Sequence, residues 1–117
     1  MRAIYDAFAA RDVEAALPLV ADEFELLPSG TAGRIGRTVP YRGPEGLREY
    51  LADVQRVWDD LVLVADDIRA VAGSVVVFGH VRGRPRGSEE LVERRVLWTW
   101  RLVEGKAVAL GVNDFGA

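Results

Sequence analysis

The stretch Tyr41-Arg-Gly-Pro-Glu-Gly-Leu-Arg-Glu-Tyr-Leu51 opens the clearest helical pattern in the chain. Gly43 can cap the start, and Pro44 has the backbone angle that suits a first helical position. Apolar residues then return every three or four positions, the spacing of one helix face. The apolar face comprises Leu47, Tyr50, Leu51, Val54, Val57 and Trp58, and the solvent face comprises Arg48, Glu49, Asp53, Gln55 and Arg56. The pattern predicts an amphipathic helix that packs on one side.

Beyond Asp60 the hydrophobic period changes from helical to strand-like. Short turns with glycine separate the segments, and such turns join neighbouring antiparallel strands. The predicted strands cover residues 61–71, 74–82, 91–103 and 106–112. Four strands in succession predict an antiparallel meander.

The N-terminal third predicts two short helices and a first strand. Apolar residues recur at helical spacing over 4–10, and Asp12 suits the N-cap of a second helix. Pro18 should kink or end that helix because it lacks a backbone N–H. A strand over 24–27 is followed by a loop, 28–33, with little ability to pack and therefore able to act as a lid. Helices first and strands later predict an α+β fold, a single domain over 1–117.

Composition narrows the classes of partner. Eighteen acidic against fifteen basic residues give a net charge of −3, which makes nucleic acid an improbable partner. The chain has one histidine and no cysteine, and its acidic clusters fit solvated turns, so we expect no metal; no glycine-rich phosphate motif implies a cofactor. No segment matches a membrane span or a secretory leader, so we expect a cytoplasmic protein with no membrane contact.

Five segments carry a resemblance to a known family. They are Tyr5–Asp12, Asp22–Glu25, Tyr41–Leu51, Trp98–Arg101 and the turn Glu104-Gly-Lys106. In this order they resemble the SnoaL-like polyketide cyclases of the nuclear transport factor two-like superfamily. The resemblance implies a cone, in which a curved antiparallel sheet wraps around three helices and encloses a pocket for a small hydrophobic molecule. It also implies a homodimer formed through the convex face of the sheet, and Phe78 is expected on that face.

The resemblance does not extend to known catalytic sets. The three proton-handling positions of the ketosteroid isomerases align with Ile4, Pro28 and Trp98, none of which can donate or remove a proton in that role. Tyr5 lies one residue from the first position. The last strand lacks the Arg-Asp-Tyr-Phe-Asp pattern of limonene-type epoxide hydrolases, and Asp114 is the nearest substitute by strand parity.

Strand alternation selects the residues expected to line the pocket. Even-numbered residues of the third long strand should face inward, which makes Trp98 and Trp100 candidate ligand contacts, although core filling is the commoner role for such residues. Gly79 would leave room for a ligand. Arg94 shares the inward parity and could pair with a carboxylate or enolate oxygen, whereas a surface position is commoner. Trp58 is a further candidate contact.

The titratable candidates are Tyr5, Tyr41, Asp114 and His80. Either tyrosine could present its hydroxyl to a carbonyl group, or could simply border the core. His80 is the chain's only side chain with an ordinary pKa near neutrality, but its parity places it on the convex face, as an interface or surface residue first and a catalytic one second. A one-residue bulge would reverse this assignment.

Two functions therefore stay open. One is acid/base chemistry on a hydrophobic carbonyl compound, as in an isomerase, cyclase or hydrolase. The other is a ligand-binding or dimerisation module without catalysis, which the missing isomerase positions favour. A titratable group within reach of the pocket interior would distinguish them.

Overall fold

Helices occupy the first half of the chain and long strands the second. The computed structural model describes residues 1–27 and 30–114, with the backbone but not the side chain of Asp114. The helices are α1 (Arg2–Ala9), α2 (Val13–Ala16), α3 (Gly30–Arg34) and α4 (Gly43–Val57), and a 3-10 turn covers Leu17–Leu19. The strands are β1 (Val20–Leu26), β2 (Tyr41–Arg42), β3 (Trp58–Val71), β4 (Ser74–Pro85), β5 (Val92–Val103) and β6 (Lys106–Asp114).

The six strands form one curved, unclosed sheet in the order β2-β1-β6-β5-β4-β3. The predicted meander from β3 to β6 is confirmed, since each consecutive pair is antiparallel. One pairing differs from the predicted antiparallel sheet: β1 lies parallel to β6, so the sheet is mixed. The predicted α+β cone is confirmed.

The N-terminal helices follow the predicted local signals. Asp12 caps α2, and its side chain accepts a hydrogen bond from the Ala15 backbone N–H at 3.2 Å. The helix then tightens into the 3-10 turn that contains Pro18, as expected where a backbone donor is lost. Strand β1 begins at Val20, four residues earlier than predicted.

The predicted lid loop is wrong where the structure describes it. Pro28 and Ser29 lie outside the described residues, but residues from Gly30 onward form helix α3. Two of its residues are buried, Thr31 and Ala32, so the segment packs against the core. The segment ends at Gly36, whose φ of +72° suits the turn that follows a helix.

Helix α4 begins at Gly43, one residue before the predicted first helical position, and it differs from the prediction in two further respects. Asp53, predicted on the solvent face, is buried. Its carboxylate accepts a hydrogen bond from the Tyr41 hydroxyl at 2.8 Å, which compensates for the loss of water. Trp58, predicted on the helix, is the first residue of β3.

Among the described residues, no helix is long and apolar enough to cross a bilayer.

The inner face of the sheet supplies much of the core. Val77, Val96, Trp98 and Trp100 are all buried, as alternation predicts. On the opposite face, Phe78 is 44% exposed, also as predicted. The helices pack on the inner face, so the space between helices and sheet is where a site can form.

Candidate functional site

A partly enclosed cavity lies between the helices and the inner face of the sheet. Its volume is about 70 Å³, counted as the space open to the centres of water molecules. Aliphatic and aromatic side chains make up the wall. They are Ile4, Tyr5, Phe8, Ala16, Phe24, Leu26, Leu27, Ala32, Tyr41, Leu47, Tyr50, Leu51, Leu63, Trp98, Trp100, Leu110 and Val112. A wall of this composition suits a small apolar molecule.

Tyr5 is held in the cavity wall by two tryptophans of β5. The Trp100 indole Nε1 donates to the Tyr5 hydroxyl at 3.0 Å, and the Trp98 ring packs edge-on at 5.3 Å between centroids. Burial raises the pKa of Tyr5 well above its ordinary value, despite the opposing effect of the Trp100 hydrogen bond. The hydroxyl therefore keeps its proton at neutral pH and, since it accepts from Trp100, can donate that proton to an oxygen in the cavity.

Tyr41 uses its hydroxyl differently. It donates to Asp53 Oδ2, and the Arg37 guanidinium lies 3.8 Å from the centre of its ring. Burial raises the pKa of Tyr41, and the hydrogen bond to Asp53 raises it further. The proton of Tyr41 is thus committed to Asp53, so the predicted contact to a ligand carbonyl is not available from this hydroxyl.

Tyr50 is a cavity residue that was predicted only as part of a helix face. It packs edge-on against Tyr41, with 5.4 Å between ring centroids, and its ring lies 6.0 Å from Phe8. Burial raises its pKa to about 12, while the charge of Arg11 acts in the opposite direction. The helical spacing indicates which side of α4 Tyr50 occupies, but it does not reveal that its ring borders the cavity beside Tyr41 and Phe8.

The two predicted tryptophans of β5 line the cavity, but Gly79 plays another part. A Cβ at Gly79 would collide with the Val64 backbone oxygen and would lie 2.8 Å from Trp98 Cζ3. The predicted room for a ligand at Gly79 is therefore wrong, because neighbouring protein atoms occupy that space. Glycine is needed here for close packing of β4 against β3.

Trp58 and Arg94 lie outside the wall of this cavity, so the structure does not bring these two predicted ligand contacts together with the other site residues. Trp58 is buried in a second apolar cluster with Val54 and Leu61, and its Nε1 donates to Thr31 Oγ1 at 3.0 Å. Arg94 is exposed near the far end of β5, where its guanidinium donates to the Glu93 backbone oxygen at 3.0 Å. An even-numbered position on β5 is not enough to place Arg94 in the cavity wall, because the cavity does not extend along the strand as far as Arg94.

His80 lies on the outer face of the sheet, as its parity predicts. Its Nδ1 is 2.9 Å from Asp66 Oδ2, and its side chain is 43% exposed. Asp66 occupies a bulge in β3, since Ala65 pairs with Gly79 and Asp67 already pairs with Phe78. The bulge is in β3 and leaves the facing of His80 unchanged, so His80 does not reach this cavity and its catalytic role stays a prediction.

The backbone of Asp114 pairs with Val96 at the end of β6. Its side chain is outside what the structure describes, so its role as a catalytic group stays a prediction. Pro28, the aligned position of the isomerase base, also lies outside the described residues. Within residues 1–27 and 30–113, no three histidine or carboxylate side chains come together as a metal site requires.

The SnoaL-like domain family matches the chain over residues 1–110. No protein of curated function matches the sequence.

Several solved structures share the fold. An NTF2-like protein of unknown function from Burkholderia pseudomallei has a TM-score of 0.85 at 19% identity, over 97% of this chain and 86% of that one. TerC, co-crystallised with polyporic acid, has the same score and coverage at 24% identity. A Catenulispora acidiphila protein with a ketosteroid isomerase-like fold, in complex with trimethylamine, scores 0.81 at 12% identity, over 96% and 82% of the two chains. At these identities the likeness shows the fold alone.

Proposed function

The chain belongs to the SnoaL-like domain family, and from this premise we propose that its cavity binds a small, largely apolar molecule that carries an acceptor oxygen. The observation that carries the proposal is the Tyr5 hydroxyl, which accepts from Trp100 and keeps a proton to donate within an apolar wall. Such a hydrogen bond is stronger than one in water because the surroundings screen it less. The ligands named for TerC and for the Catenulispora protein, polyporic acid and trimethylamine, support a small-molecule site in this fold.

The size of the cavity limits the ligand. One water needs roughly 10–15 Å³ of occupied volume, so a cavity with about 70 Å³ open to water centres has room for several waters. A monocyclic aromatic ketone is of suitable size and combines an apolar ring with one acceptor oxygen. Acetophenone is therefore a reasonable probe, and ethylbenzene is its counterpart without the oxygen.

Thermal shift and calorimetric titration with this pair of probes test the proposal. Wild-type protein should be stabilised by both compounds, with acetophenone the tighter ligand. Tyr5→Phe should weaken acetophenone roughly fivefold, the equivalent of one neutral hydrogen bond of about 1 kcal/mol, and leave ethylbenzene unchanged. Tyr41→Phe is the matched control, because its proton is already given to Asp53. If neither compound binds wild-type protein at the highest concentration that stays in solution, the proposal is wrong.

A second candidate function is acid/base catalysis with Asp114 as the base. No carboxylate or imidazole belongs to the cavity wall within the described residues. The position of Asp114, however, has the same strand parity as Leu110 and Val112, which line the cavity. A base there would remove a proton from the methyl group of a bound acetophenone to give the enolate, and re-protonation by solvent in D₂O would introduce deuterium.

Proton NMR can follow that exchange. We expect wild-type protein to accelerate deuterium incorporation into acetophenone, and Asp114→Asn to abolish the acceleration with little change in melting temperature or ligand affinity. Glu104→Gln, in the exposed β5–β6 turn, is the control. Wild-type exchange no faster than buffer would eliminate the catalytic candidate and leave the binding function standing.

A further inference from the structure

A second apolar cavity lies at the end of the sheet where β5 turns into β6. Its volume is about 60 Å³, again counted as the space open to the centres of water molecules. Helix α1, the 3-10 turn and strands β5 and β6 contribute to its wall, which is lined by Met1, Ala3, Ile4, Leu19, Trp100, Leu102, Gly105 and Ala107. Since no titratable side chain is among these described wall residues, the cavity suits an aliphatic group.

Ile4 and Trp100 border both cavities, so their side chains form a partition between the two spaces. Trp100 is fixed on two sides. Its Nε1 donates to the Tyr5 hydroxyl at 3.0 Å, and its ring stacks on the Phe24 ring with 6.5 Å between centroids. Ile4 is partly buried against the core, and its aliphatic side chain makes no hydrogen bond. Ile4 is therefore the half of the partition that a substitution can remove without breaking a polar contact.

The partition lies next to the donor that the proposed function assigns to the ligand oxygen. Tyr5 follows Ile4 on α1, and the Tyr5 hydroxyl is hydrogen-bonded to Trp100, the other partition residue. A ketone oxygen bound at this hydroxyl brings the carbonyl carbon close to the partition. One substituent of that carbon can then point at Ile4, while the other stays in the main cavity.

We propose that Ile4 is a specificity-determining residue, which closes the main cavity toward the second one and so limits the alkyl chain that a bound ketone can carry. The inference rests on the proposed binding function. The wild-type protein accepts a short-chain ketone that fills the main cavity alone. Once the Ile4 side chain is shortened, the two cavities join, and a longer alkyl chain extends into the second.

Calorimetric titration with phenyl ketones of increasing chain length tests the partition. The series runs from acetophenone, which carries a methyl group, to the propyl and pentyl ketones. Wild-type protein should bind acetophenone most tightly and the pentyl ketone most weakly. Ile4→Ala should reverse this order. Affinity should then rise about fourfold for each methylene that enters the second cavity, the equivalent of about 0.8 kcal/mol.

Two further variants show which space receives the chain. Leu63→Ala removes as many carbon atoms as Ile4→Ala from a side chain that is also partly buried, but Leu63 belongs to the wall of the main cavity. It should bind the pentyl ketone more weakly than Ile4→Ala does. Ala3→Leu adds bulk on α1 to the wall of the second cavity. Combined with Ile4→Ala, it should abolish the gain for the pentyl ketone and leave acetophenone affinity unchanged.

The outcomes separate this inference from the proposed function. Wild-type protein that binds the pentyl ketone more tightly than acetophenone would refute the partition alone. So would an Ile4→Ala variant that melts cooperatively and still prefers acetophenone, or a gain in Ile4→Ala that Ala3→Leu leaves intact. Should Ile4→Ala fail to fold, Ile4→Val decides the question, since it should give a smaller gain for the propyl ketone that Ala3→Leu again removes. Absence of acetophenone binding by wild-type protein would overturn both the inference and the proposed function.

Discussion

The three tyrosines of the chain all border one cavity, yet their hydroxyl groups offer different contacts. Tyr5 accepts from an indole and Tyr41 donates to a buried carboxylate, whereas Tyr50 makes ring contacts with Phe8 and Tyr41. The residue type is the same in each case. The partner behind the hydroxyl therefore determines whether the proton is free for a ligand.

Tyrosine ionisation tests this description, because all three pKa values are raised by burial. The ordinary pKa of tyrosine is roughly 10. In native protein the near-ultraviolet phenolate absorbance should therefore show no step at that pH. Tyr50 should ionise at about 12, and Tyr5 and Tyr41 should also ionise well above their ordinary value. These pKa values are higher in the folded protein than in the unfolded chain. The contribution of the three buried tyrosines to the free energy of unfolding is therefore complete below about pH 10, and it is lost as pH rises through the folded-state pKa values.

The matching measurement is the circular dichroism signal over the same titration. Loss of the native signal should accompany phenolate formation, and protein in concentrated guanidinium chloride should titrate as three ordinary tyrosines near pH 10. Native protein in which one or more tyrosines ionise near pH 10 without unfolding would contradict the buried placement.

The residues of the site were predictable only in part. Strand parity predicts Trp98 and Trp100 in the wall, because alternation is a local property of β5. The partners are not local: Tyr5 is 95 positions from Trp100, and Thr31 is 27 positions from Trp58. Asp53 was predicted on the solvent face for the same reason, since nothing near it in sequence indicates that Tyr41 provides its partner.

At the scale of elements, the pairing of β3 with β4 depends on one glycine. The register shifts between Ala65 and Asp67, so the two strands approach closely opposite Gly79. A side chain at Gly79 would collide with the Val64 backbone oxygen and crowd the Trp98 ring. The backbone at Val64 cannot move aside as the end of a flexible side chain could. Close packing of β4 against β3 therefore requires glycine at position 79.

Gly79→Ala should therefore lower the free energy of unfolding by about 1–3 kcal/mol or more, the usual range for overpacking a core. Urea unfolding followed by tryptophan fluorescence measures this change. Gly33→Ala is the matched control: a Cβ there meets nothing within 4 Å, and alanine in helix α3 should be neutral or stabilising by about 0.5–1 kcal/mol. Equal stability of Gly79→Ala and wild-type protein would show that the strands can separate without cost.

Helix α3 shows where local sequence signals fail at this scale. Glycine, threonine and arginine are ordinary loop residues, and the segment was predicted as a loop. The structure makes it a helix because Ala32 fits into the core and Thr31 receives the Trp58 indole. Tertiary contacts of this kind override weak local preferences.

At the scale of the molecule, the order of elements and the SnoaL-like resemblance together predicted the cone. The parallel pairing of β1 with β6 was not predictable from turns, because it joins the first and last strands across most of the chain. It also positions residues of both strands on the cavity wall, among them Phe24 and Leu110. The cavity is thus a property of the assembled fold, with helices on one side and β1, β5 and β6 on the other.

The outer face of the sheet leads to a prediction about assembly. Phe78 is 44% exposed there, opposite Leu97, and Val62 is 45% exposed on the neighbouring strand. Exposed apolar residues grouped on one sheet face are typical of contact surfaces, and a second copy of the chain is the expected partner.

Light scattering at micromolar concentration should give the mass of a homodimer for the 12.9 kDa chain. Phe78→Asp should shift the protein to monomer with its circular dichroism spectrum unchanged, because a carboxylate cannot be buried unpaired in a self-contact. Val39→Asp is the control, since Val39 is 61% exposed in the segment before β2 and away from this face. A monomeric wild-type protein would exclude the dimer, and a dimer that survives Phe78→Asp would assign the contact to another surface. In either case the cavity on the inner face keeps its wall within a single chain, so ligand affinity per chain should be the same in monomer and dimer.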